Sequence, residues 1–186
     1  LGGLIEATDY NGFVNTGAQN INAVWSTGTT DGGWGQTAIT TVSAAGTVTA
    51  TQWASLVNTL TSMGSQTGTV ITSRSAPTAG QTIGVLSAVS ADITSCNTNR
   101  ANAAAVGSTS TTWTGAAAKT STTGTGTNAW TITWTQTITF PSADQARYFW
   151  NAGGRVVLNM SKTSTGTDND PDWNTFVGKV GDISFT

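Results

Sequence analysis

The chain has 186 residues, enough for one ordinary domain whose core needs no disulfide or metal staple. It contains no His and one Cys, which removes Ser-His-Asp and Cys-His nucleophile systems, His-ligated metal sites and the side chain best suited to proton transfer near pH 7. Charged residues make up 9 %, against about 25 % in ordinary soluble domains, and the formal net charge is −2.

The basic residues are scattered singly, so the clustered Lys and Arg that neutralise phosphates are missing and nucleic acid is set aside as a partner. The surface is expected to be Thr, Ser, Asn, Gln and Gly, which suits packing against copies of the same chain or its neighbours. Cys96 has no partner for an intrachain disulfide and reads as a small buried apolar residue. No apolar run approaches the ~20 residues that cross a bilayer, and no basic segment leads into an apolar one at the start, so a soluble chain with no membrane partner is expected. A chain that opens on Leu1 is expected to be processed or to be a piece of a longer one.

In chain order, a first helix is expected from Thr8 or Asp9, either able to cap, with Tyr10, Phe13, Val14, Ile21, Val24 and Trp25 on one face and Gly12 and Gly17 weakening it. Ser26 to Gln36 is rich in turn residues, and Asp31-Gly32-Gly33-Trp34-Gly35-Gln36 offers several positions able to take positive φ. Thr49-Ala50-Thr51-Gln52 matches a capping box, with Trp53, Leu56, Val57, Leu60 and Met63 following on one face and Gly64 placed to end the helix. A third helix is expected from about Thr82 through Val85, Leu86, Val89, Ile93 and Cys96, with Arg100 and the Ala-rich tail as an extension.

Residues 107–128 are nearly all Ser, Thr, Gly and Ala, a hinge, an exposed hairpin or a linker, although Trp113 argues against a pure linker. Then Trp130, Ile132, Trp134, Gln136, Ile138 and Phe140 alternate with Thr131, Thr133, Thr135, Thr137 and Thr139, the pattern of a strand with one apolar face and one threonine face. Pro141 ends it. Ser142-Ala143-Asp144-Gln145 matches a second capping box and opens a short helix through Tyr148, Phe149 and Trp150, closed by Gly153-Gly154. A strand is expected from Arg155 to Lys162, a capped helix at Asp170-Pro171-Asp172-Trp173, and a last strand containing Ile183 and Phe185.

Candidate chemistry is sparse. Asp168, Asp170 and Asp172 alternate as calcium ligands can, but a cap at Asp170 and a first-turn Asp172 account for two of them, and the Gly and distant Glu of a regular calcium loop are missing. Glu6 and Asp9 are close in sequence, yet nothing marks the cleft that a glycosidase pair requires. No catalytic residue, metal or cofactor is assigned. Trp34 and Trp113, in loops, are candidate stacking platforms for sugar rings, while Trp25, Trp53, Trp130 and Trp134 fall in phase with apolar stripes. Gly32-Gly33-Trp34-Gly35 lacks the Lys and the strand-to-helix setting of a phosphate loop. Arg147 and Arg155 are expected to pair with Asp144, Asp182 or a neighbouring subunit.

Ala7-Thr8-Asp9-Tyr10-Asn11, Gly32-Gly33-Trp34-Gly35-Gln36 and Val48-Thr49-Ala50-Thr51-Gln52-Trp53 resemble, in order, the opening region of structural proteins from tailed phages, most closely T4-like phages and phages of cyanobacteria. The run from Ile138 to Arg155 is similar to a segment that recurs in the same proteins, where a strand, an Ala-Arg-Tyr-Phe-Phe-Asn helix and a Gly pair lead into the next strand. Trp34 stands where Tyr is usual and Trp150 where Phe is usual. The matching pieces leave residues 70–128 uncovered, and they carry caps, aromatic anchors and glycines but no catalytic groups.

The resemblance implies a virion component at the tail, baseplate, neck or fibre attachment, whose partners are copies of itself and other virion proteins. A receptor- or carbohydrate-binding module, with a host surface glycan as partner, is the alternative. The expected fold is α+β, a helical N-terminal half followed by an antiparallel or mixed sheet with short connecting helices. It divides into 1–106, 107–128 and 129–186, or forms one domain. Interface or ligand candidates are Trp34, Trp113, Arg147, Arg155, Thr133, Thr135 and Thr137.

Overall fold

The computed structural model describes residues 5–17, 19–28, 31–81, 86–102, 137–159 and 170–186. The first expected helix is broken. Helix α1 (Ala7–Asn11) opens at Glu6, whose N–H donates to Asp9 Oδ2 at 3.3 Å, so Asp9 serves the cap from inside the first turn. The chain then widens into a π-helical turn, Gly12–Thr16, and stops at Gly17, which is extended; α2 (Asn22–Trp25) resumes after the break. The two glycines lack the side-chain packing that would hold a regular α-helix across this stretch, and tertiary contacts fix the break.

Asn11 and Asn22 explain how the irregular chain after α2 is held. The Asn11 amide donates to Val42 O at 2.7 Å and accepts from Val42 N–H at 2.8 Å. Asn22 does the same with Ile39, at 2.8 Å and 2.9 Å. Each amide thus stands in for a peptide group of a neighbouring strand, and a stretch without regular structure satisfies its buried polar groups.

Helix α3 (Ala50–Thr67) is the centre of the core. Its capping box forms as the sequence indicates: Thr49 Oγ1 accepts from Gln52 N–H at 3.3 Å and Gln52 Oε1 accepts from Thr49 N–H at 2.8 Å. Its end differs from expectation. The helix runs past Gly64 to Gly68, which takes the left-handed conformation at φ 64°. Gly64 instead admits Ile71, since a Cβ there would lie 3.1 Å from Ile71 Cγ2.

The apolar face of α3, Trp53 to Met63, is buried against Tyr10, Val14, Ile21 and Val24 from the N-terminal turns and against Val89, Ile93 and Cys96 of α4 (Leu86–Thr98). Tyr10 and Phe13 meet the Trp53 ring with centroids 6.3 and 6.2 Å away, in tilted and edge-on arrangements. Helix α4 ends at Thr98 and the chain turns at Asn99 and Arg100, so Arg100 does not extend it. A buried ion pair joins α4 to the extended segment after α3: Arg74 Nη2 meets Asp92 Oδ2, and Asp92 also accepts from Thr72 N–H at 3.2 Å.

The second half holds α5 (Ala143–Asn151), β1 (Val156–Leu158), α6 (Asp170–Val180) and β2 (Ile183–Phe185). Strands β1 and β2 pair antiparallel with Val156 opposite Phe185, Val157 opposite Ser184 and Leu158 opposite Ile183. The fold is therefore mixed α+β, but the sheet among the described residues is this one two-stranded pair. Of the alternating segment ending at Phe140, residues 130–136 lie outside the described residues. Thr137 to Phe140 are not in a regular strand, though their exposure still alternates, Thr137 and Thr139 out, Ile138 and Phe140 half-buried. The 107–128 hinge also lies outside the described residues.

Candidate functional site

The best-defined site is where α5 meets the loop around Trp34. The loop folds back on α2: Trp34 N–H donates to Val24 O, Gly35 N–H to Ser26 O and Gln36 N–H to Trp25 O, at 2.8, 2.8 and 2.9 Å. Glycine is required twice. A Cβ at Gly33 would run into the Ser26 carbonyl, and one at Gly35 would run into the Tyr148 ring at a residue whose φ is +70°.

Trp34 is 5 % exposed, and its ring lies 6.3 Å from that of Trp25. Its indole N–H donates to Asn151 O at 3.1 Å, which fixes the end of α5. Asn151 answers with its side chain, donating to Asp31 O at 2.7 Å and Gly33 O at 2.9 Å. Gln66 of α3 donates to Ala152 O at 3.1 Å. Arg147 forms ion pairs with Asp31, and with Asp144 at 3.0 Å, while its guanidinium carbon sits 4.9 Å from the centre of the Tyr148 ring. Desolvation pulls the Arg147 pKa down, but the hydrogen bond and charge of Asp31, with Asp144 adding to it, leave it above its ordinary value.

Beside this junction a cleft of about 420 Å³ opens between α3, α5 and the Trp34 loop. It is lined by Ser62 and Gln66 of α3, by Gln145, Tyr148 and Phe149 of α5, and by Trp25, Trp34 and Gln36 from α2 and the loop after it. Gln145 is exposed, and the second capping box closes only halfway. Ser142 Oγ accepts from Gln145 N–H at 3.2 Å, but the Gln145 amide does not return to the cap.

Trp34 is thus a packing anchor with its ring covered, and the open stacking platform expected of it is corrected. Arg147 pairs with Asp144 as expected and also with Asp31, a partner that its position in sequence did not indicate. Arg155 is exposed and makes no ion pair among the described residues; Asp182, one of the partners expected for the two Arg residues, accepts from Asn159 at 2.6 Å. Thr137 is exposed. Trp113, Thr133 and Thr135 lie outside the described residues, as does Asp168. Among the described residues no cluster of three His, Cys, Asp or Glu could hold a metal ion, and no helix is long and apolar enough to cross a membrane. Sequence reasoning missed Asn151, Asp31 and Gln66. The one signal available was Asn151 closing the aromatic run of α5.

No protein-family model, curated protein or solved structure matches the chain.

Proposed function

We propose that this chain is a non-enzymatic structural component of a tailed-phage virion that acts through subunit contacts in the tail, baseplate, neck or fibre attachment. The observation that carries the contact role is the face of the β1–β2 pair. The register puts Val156, Leu158, Ile183 and Phe185 on one side, yet Ile183 remains 37 % exposed and Phe185 53 % exposed. A pair of three-residue strands is marginal alone, and a half-covered apolar face, its two edges open among the described residues, gains stability when a neighbour covers it. Charge is low enough that copies can approach without strong repulsion.

The phage context rests on the resemblance of two separated segments. Their meeting at Trp34 and Asn151 supports reading them as one structural motif. Replacing Ile183 and Phe185 with Lys is expected to prevent self-association while circular dichroism stays that of the folded chain. Unchanged association in that double variant would count against the proposal.

A further inference from the structure

We propose that the cleft between α3, α5 and the Trp34 loop binds a neutral saccharide. This goes beyond the assembly role and does not depend on it. The walls combine aromatic rings with neutral amides, and among the described residues no charged side chain lines them. That selects against an ionic ligand and for one that offers apolar C–H faces and hydroxyls together.

The hydrogen-bonding capacity left over is of the right kind. Gln145 is released from its cap, and its whole amide, two donors and an acceptor, has no partner among the described residues. Gln66 uses its N–H on Ala152 O and keeps Oε1 for a donor. Gln36 bonds Trp34 O only at 3.4 Å. Trp25 and Phe149, both half-buried, supply aromatic surface, while Trp34 and Tyr148 are held in place by Asn151, Gly35 and Arg147.

A protein segment fits less well. The lining comes from helices and one irregular loop, with no strand edge to extend among the described residues, and three Gln and a Ser interrupt the apolar surface that a docked helix would need. A ring with hydroxyls at its rim and C–H bonds on its faces meets both requirements at once.

The test is ligand-observed saturation-transfer NMR and tryptophan fluorescence on the intact chain, with methyl α-glucoside, methyl α-galactoside and N-acetylglucosamine at millimolar concentration and glucuronate as the anionic control. At least one neutral sugar is expected to show transfer and to shift the fluorescence, with glucuronate showing neither. Gln145→Ala, on the exposed side of α5, is expected to weaken that binding about three- to tenfold, and Gln81→Ala, outside the cleft, to leave it unchanged. Absence of transfer for all three sugars would overturn the proposal, as would equal binding by Gln145→Ala. A change of oligomeric mass in Gln145→Ala without sugar binding would also overturn it and assign the cleft to a protein contact.

Discussion

Single amides and a buried ion pair, Arg74 with Asp92, hold together what regular structure does not. Asn151 ties α5 to the loop by two hydrogen bonds, and the net worth of such bonds puts the cost of Asn151→Ala at about 1–3 kcal/mol, measured by urea unfolding. Asp92 is harder to lose. Arg74 and Asp92 are 6 % and 10 % exposed, so Asp92→Ala strands a buried guanidinium and is expected to cost about 3–5 kcal/mol in the same assay. Burial pushes the Tyr10 hydroxyl and the Cys96 thiol above their ordinary values of 10.0 and 9.0. At Cys96 the burial outweighs a hydrogen bond with Thr67 that acts the other way, and the charge of Asp92 adds to it. Both groups stay protonated in the fold at a pH where the unfolded chain has lost those protons. Their contribution to stability is complete below 9.0 and falls as pH rises through that value and 10.0, so melting temperature should drop above pH 9. The drop should be smaller in Cys96→Ala, compared with its own melting temperature at neutral pH.

Elements differed in how far the sequence disclosed them. Helix α3 was legible because its signals are local: a Thr-x-x-Gln cap and an apolar stripe about three turns long, Trp53 to Met63. Its end was not, because both Gly64 and Gly68 can stop a helix, and the choice was made by Ile71 packing against Gly64. The first helix read as continuous since its apolar residues kept helical spacing, whereas long-range amide bonds from Asn11 and Asn22 reward a broken path. The α5 site was visible as two motifs but not as a contact, because the residues that join them are more than a hundred positions apart in sequence. That contact is testable at the element level. Gly35→Ala should push the Tyr148 ring off the loop, and hydrogen exchange should then lose protection across Ala143–Asn151 while α3 keeps its own. Protection lost equally in α3 would show that α5 docking and the core are one cooperative unit.

Across the described residues, the well-buried part is the N-terminal helical core, while the C-terminal strands leave apolar side chains at the surface. Such a distribution fits a chain completed by neighbours, with closure around a symmetry axis covering edges that would otherwise aggregate. The most direct measurement is the mass of the purified chain in solution by light scattering, with the same sample imaged by electron microscopy. The expected result is a trimer, hexamer, larger ring or filament. A monodisperse monomer at all accessible concentrations would contradict the assembly role.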